Sequence, residues 1–196
     1  MQQQAKEQLG AFCESISMRV KAAKGGASGG TIASMKNISA EAKEDKSIYK
    51  IIFNPYSLCP PSGRSGPDKQ DLQKVVFDKK SNSYIAPFIM ATINTKVVRR
   101  SNALSNYPYG KDFLYDESMM VGKGFGGRLK GFGVLATLGM AMASPDSMIG
   151  KVAGKFLPEP GEGPSKEERE NGFYKFLFFG KTADGKEIVG LSLIHI

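Results

Sequence analysis

Apolar and polar residues alternate from Ser15 to Lys21, with Ile16, Met18 and Val20 set against Ser17, Arg19 and Lys21. A period of two predicts a half-buried strand. From Thr31 to about Lys43 the spacing changes, and Ile32, Met35 and Ile38 fall on one helical face. Four glycines separate the two segments, in Lys24-Gly25-Gly26-Ala27-Ser28-Gly29-Gly30-Thr31. The chain there reads strand, glycine turn, helix. A helix start leaves N–H groups without intrahelical partners, and glycine lets a ligand or another backbone approach them. The turn lacks the Lys-Ser/Thr of a P-loop. It could hold an anion, a carboxyl or a thioester carbonyl on the N–H groups of Gly29, Gly30 and Thr31. Close packing of helix on sheet needs the same glycines, and the residues leave both readings open.

The same patterning predicts a helix from about Gln2 to Phe12, weakened by Gly10, and a short helix at Ser47–Phe53. Asn54-Pro55, Pro60-Pro61, Ser62-Gly63 and Gly66-Pro67 mark a long exposed loop. Short strands are expected at Lys74–Asp78 and Ser83–Ala86. A helix follows at Ile93–Asn106, with Ile93, Val97 and Leu104 on one face and Asn94 as its cap. Phe113–Val121 and Phe173–Phe179 read as strands, and Gly131–Ala143 as a helix stopped before Ser144-Pro145. Ser165 and Glu168 form a capping box, and Asp184-Gly185 signals a type I′ hairpin. Helices and strands interleave, so the expected fold is α/β (α+β), a mixed β-sheet flanked by helices.

At 196 residues with 41% hydrophobic content, the chain suits one domain with a real core. No apolar run reaches the roughly 18 residues that span a bilayer, and no secretory signal is visible. Cys13 and Cys59 have no CxxC spacing, which reads as two buried thiols and a reducing, intracellular setting. The net charge of +8 suits an anionic surface, an acidic partner or nucleic acid. The basic residues are scattered and Trp is absent, so nucleic acid is disfavoured. His195 is the only histidine, and no cluster has metal-ligand spacing, so neither histidine catalysis nor a metal is expected.

Both ends read as cut. Leu191-Ser192-Leu193-Ile194-His195-Ile196 is the in-frame translation of a transposon end used in sequencing libraries. On that reading the natural segment is 1–190, and 191–196 is an artefact. Gln3 to Leu9 are helix formers with no cap ahead of Met1, as at an internal methionine of a longer frame.

Gly122-Lys123-Gly124-Phe125-Gly126-Gly127 matches G-x-G-x-x-G, and Asp146 lies at a suitable distance beyond. Asp146 falls in a Ser-Pro-Asp turn, however, and a flexible glycine turn is the competing reading. Arg99 and Arg100 are adjacent on a helix and point about 100° apart, so at most one faces a given site. The competing reading is a solvated basic face. Asp112, Asp116 and Glu117 are too scattered for a carboxylate pair.

Three stretches are similar to saccharopine dehydrogenase-like oxidoreductases, including the trans-acting enoyl reductases. They are Gly25 to Met35, Pro87 to Leu104, and Gly161-Glu162-Gly163-Pro164-Ser165 with the charged helix and strand that follow. The resemblance runs from about Leu9 to Gly190. It implies the C-terminal, substrate-side domain of a two-domain NAD(P)-dependent reductase, without the Rossmann domain that binds most of NAD(P)H. It implies hydride transfer to an unsaturated acyl or lipid-like substrate, small or carrier-bound, in a parent enzyme of which this fragment alone is inactive. Gly26, Ser28, Gly29, Gly30, Thr31, Arg99 and Arg100 are the residues expected to face substrate or cofactor. A homodimer, peripheral membrane or lipid contact, and a cytoplasmic or lipid-associated location are compatible with it. The alternative is a non-enzymatic basic module that binds anionic lipid or an acidic protein.

Overall fold

The computed structural model describes residues 1–25, 29–141, 147, 148, 150 and 161–195. In chain order the elements are α1 (Gln2–Leu9), β1 (Cys13–Lys24), α2 (Gly29–Glu44), α3 (Ser47–Phe53), β2 (Val76–Asp78) and β3 (Ser83–Ala86). They continue with α4 (Ala91–Leu104), β4 (Leu114–Gly122), α5 (Gly124–Ala141), α6 (Lys166–Glu170), β5 (Phe173–Thr182) and β6 (Glu187–His195). The six strands form one sheet in the order β2-β3-β4-β1-β5-β6. β1 and β4 are parallel, and every other pair is antiparallel. The fold is therefore a mixed sheet flanked by helices, as the interleaved pattern predicts.

β1 lies inside the sheet, between β4 and β5. Its Ile16, Met18 and Val20 stand level with Tyr115, Glu117 and Met119 of β4, and Met18 and Val20 with Phe178 and Phe176 of β5. This face forms the core, with Ala5 of α1 and Val98 of α4 packed on it. The alternation predicts a strand with its polar face in water, but the structure buries that face too. Ser17 and Arg19 are 2% and 4% exposed. Arg19 pairs with Asp78 through Nε at 3.0 Å and with Asp116 through Nη1. Lys80 donates to the Ser17 hydroxyl at 2.9 Å, and Ser17 donates to Asp116 at 2.6 Å. Partners 59 to 99 residues away in sequence cover this face, and a local period carries no trace of them. Burial of Asp78 opposes its ionisation, yet hydrogen bonds from Ser81 and Arg19 outweigh it and hold the carboxyl below its ordinary value.

Local chemistry corrects three other expectations. The cap position of α4 is Met90 with no side-chain cap, and Asn94 lies inside the first turn, where its amide donates to Glu117 at 3.0 Å. The hairpin after β5 is not type I′, because Gly185 (φ +85) is its only turn residue with positive φ. Gly185 donates to the Thr182 carbonyl and Thr182 to that of Lys186, the three-residue loop with a left-handed glycine. Ile93, Val97 and Leu104 do share a face of α4, but that face is turned to solvent. The capping box at Ser165 and Glu168 is present in both directions.

Candidate functional site

β1 and β4 run side by side in the same direction, so both end at the same edge of the sheet. Each end leads through glycine into a helix. β1 passes Gly25 (φ +133) to α2, and β4 passes Gly122 (φ +106) and Gly124 (φ +61) to α5. The crevice outside the carboxyl ends of parallel strands is where open α/β sheets commonly take ligands. The β4 turn is held rigidly, since the buried Ser83 hydroxyl contacts both the N–H and the carbonyl of Gly122 at 3.1 Å. Gly127 presses α5 onto the strand so closely that a Cβ there would lie 2.3 Å from the Gly122 carbonyl oxygen. Close helix–strand packing thus accounts for this glycine. A dinucleotide-binding unit needs a parallel strand after the helix. Among the described residues the next strand, β5, is antiparallel to β1 and hence to β4. Asp146 lies outside the described residues.

The residues expected at the site divide between two places. Gly26 and Ser28 lie outside the described residues. Gly29 begins α2, is buried, and donates its N–H to the Glu162 carbonyl at 2.8 Å. The segment Gly161-Glu162-Gly163 is thereby fastened to the same edge, which unites two of the three motif stretches. Gly30 and the backbone of Thr31 follow in the first turn of α2. Arg99 and Arg100 are elsewhere. Arg99 donates to the Tyr115 carbonyl, and Tyr115 is level with Ile16. Ile16 precedes Gly25 by nine residues, roughly 30 Å of extended strand. The arginines therefore do not converge with the glycine turn.

Beneath α4 the structure assembles a polar cluster from residues far apart in sequence, of which Glu117 alone is among the carboxylates singled out above. Arg99 pairs with Asp68 at 2.6 Å, and its other nitrogens reach the Thr95 hydroxyl and the carbonyls of Pro55 and Tyr115. Asp68 also accepts the Tyr115 N–H at 3.1 Å. Further along α4, Glu117 accepts from the Tyr115 hydroxyl at 2.8 Å and from Asn94. Burial raises the carboxyls of Asp68, Asp71 and Glu117 above their ordinary values, against the pull of their hydrogen bonds. Burial also lowers Lys96 and raises the Tyr115 phenol.

A cavity of about 260 Å³ opens beside Arg99, lined by Tyr56, Cys59, Ser62, Tyr107, Lys111 and Phe113 among others. Its thiol is not an activated nucleophile, because burial pushes Cys59 upward, and burial does the same to Cys13. Among the described residues no group of His, Cys, Asp and Glu could hold a metal ion. Nor is any helix among the described residues long and apolar enough to cross a membrane.

No protein-family model and no solved structure matches the chain. A Mycobacterium tuberculosis protein named as a candidate trans-acting enoyl reductase is 36% identical over 177 residues, 85% of this chain and 42% of the relative. The trans-acting enoyl reductase of Mycobacterium ulcerans is 30% identical over 173 residues, covering 81% and 40%. That of Mycobacterium bovis is 29% identical over 168 residues, again covering 81% and 40%. The chain is thus similar over most of its length to trans-acting enoyl reductases, and it spans about two fifths of the curated relatives it matches.

Proposed function

We propose that the chain is the substrate-side part of an NAD(P)-dependent oxidoreductase that reduces enoyl substrates. The observation that carries this reading is the similarity to trans-acting enoyl reductases over 85% of the chain. Saccharopine dehydrogenase-like ancestry and an acyl or lipid-like substrate belong to the same proposal. The described residues do not fit a dinucleotide, since the one glycine fingerprint is followed by an antiparallel strand. NAD(P)H would be held by the part of the relatives that this chain does not span. The role of this part is then to wall the substrate side of a cleft. Its glycine turns let an acyl group approach main-chain N–H groups, with those of Gly30 and Thr31 nearest.

The test is a pair of measurements. The 196-residue chain is titrated with NADPH and assayed with a trans-2-enoyl thioester. It is then assayed again fused behind the preceding part of the Mycobacterium tuberculosis relative. The expected outcome is no NADPH binding by the chain alone and NADPH oxidation by the fusion. Tight NADPH binding by the chain, or an inert but folded fusion, overturns the reading.

A second reading has its own observation, in α5. Phe125 is 82% and Leu129 62% exposed, Lys123, Arg128 and Lys130 stand among them, and Gly122–Ala141 contains no carboxylate. Exposed apolar side chains beside cations are a pairing that anionic bilayers attract. Salt-sensitive binding to phosphatidylserine vesicles, lost in Phe125→Ser/Leu129→Ser and needing no cofactor, favours this basic module over the enzyme.

A further inference from the structure

α4 is an amphipathic helix turned inside out. Thr95, Lys96, Arg99 and Asn102 are buried, while Ile93, Val97 and Leu104 are 52%, 50% and 58% exposed. With exposed Arg100, the outward residues fall at spacings of four, three and four, the register at which one helix receives another. The row extends about 17 Å at 1.5 Å per residue. It does not stand alone. Lys96 donates to the Ile51 and Ile52 carbonyls, Arg99 to that of Pro55, and Arg100 to that of Leu58. The segment from α3 onward is thereby strapped along α4, and it adds the exposed Ile51, Phe53 and Leu58.

The charge on these two segments has one sign. Residues 46–67 and 91–111 hold seven cations and no carboxylate. Arg99 is answered by Asp68, and buried Lys96 faces Asp71. Lys46, Lys50, Arg64, Arg100 and Lys111 remain exposed, and none of the five forms an ion pair among the described residues. An apolar row edged with unanswered positive charge matches one kind of occupant in both respects.

We propose that the outward face of α4, with the segment strapped beside it, is a docking surface for an acidic amphipathic helix of a partner protein. The apolar side chains of that helix seat against Ile93, Val97 and Leu104, and its carboxylates meet Arg100, Lys50 and their neighbours. The helical spacing favours a helix over a bilayer, which has no register to match. A second copy of this cationic face would bring like charges together. The proposal does not rest on the enoyl reductase reading.

The probe is a synthetic helical peptide with leucines at four-three-four spacing flanked by glutamates. Its lysine-flanked counterpart is the control. The intact chain is titrated with each, by fluorescence anisotropy and by amide chemical-shift mapping. The expected result is salt-sensitive binding of the acidic peptide alone, with shifts on α3 and α4. Ile93→Ser/Val97→Ser should weaken it about tenfold or more, and Arg100→Glu less but with a shallower salt dependence. Unchanged melting curves show that the variants fold. Equal binding of the lysine peptide, or full affinity in the folded double variant, overturns the proposal. So does vesicle binding or self-association that the double variant abolishes, since the face would then belong to a bilayer or to a second copy.

Discussion

α4 and α5 both pack on β4, yet they solve opposite problems. α4 turns Thr95, Lys96, Arg99 and Asn102 inward beside Ala91, Val98 and Ala103 and holds them with partners from distant segments, so a large part of its attachment is electrostatic and directional. α5 has no fully buried side chain among the described residues. It approaches through Gly127 and Gly131, whose missing side chains make room for Gly122 and for Val75 and Val121, and it leaves its phenylalanines outside. One helix is fastened by groups it possesses, the other by groups it lacks. The first should fail when a charge loses its partner, the second when a methyl is added.

The largest effect is expected in α4. Arg99→Met leaves Asp68 buried and unpaired, which should cost about 3–5 kcal/mol in urea denaturation. If the loss is under 1 kcal/mol, the α4 attachment is not electrostatic and the contrast collapses. In α5, Gly127→Ala places a Cβ 2.3 Å from a carbonyl that cannot yield cheaply, with an expected loss of about 1–3 kcal/mol. Gly133→Ala on the same helix meets nothing within 4 Å, so its melting temperature should rise, from a gain of about 0.5–1 kcal/mol.

Next comes a pH effect confined to the α4 side. Burial raises the Glu117 carboxyl above its ordinary value of 4.5. A raised carboxyl contributes stability that is present in full below the unfolded value and is lost as pH rises through the folded one. Stability should therefore fall as pH climbs from about 4.5, and Glu117→Gln should flatten that fall without abolishing it, because Asp68 and Asp71 are shifted the same way. A slope unchanged in the variant would remove Glu117 from the account. The smallest effect is Phe125→Ser in α5, within about 0.5 kcal/mol because that ring is left in water.

The sequence carried the elements better than their orientation. Ser47–Phe53, the two strands at Ser83–Ala86 and Phe173 onward, and the Ser165–Glu168 box follow from spacing and capping over a few residues, and the structure has them. What stayed illegible depends on distant partners. The alternation in β1 placed Arg19 correctly opposite Met18, but Asp78 and Asp116 cover it from far along the chain. The spacing of Ile93, Val97 and Leu104 in α4 identified a helical face without saying which way it points, because Asp68 and Glu117 pull the other face inward. At the candidate site, the glycine pattern marked both turns. Their placement at one edge came from the parallel pairing of β1 and β4, which no local pattern announces. That same pairing separates Arg99 from the glycines.

The straps along α4 have a consequence for variation. Lys96, Arg99 and Arg100 grip the segment from Ile51 to Leu58 by its main-chain carbonyls, and the buried Tyr56 ring adds a side-chain contact under Arg99 and against Ala103. Every residue type offers a carbonyl, so away from Tyr56 the clasp does not depend on which side chains the segment carries. Ile51, Phe53 and Leu58 can be exchanged to suit a new neighbour while the clasp that holds them stays shut. The fold thus keeps a fixed mounting for an exchangeable surface.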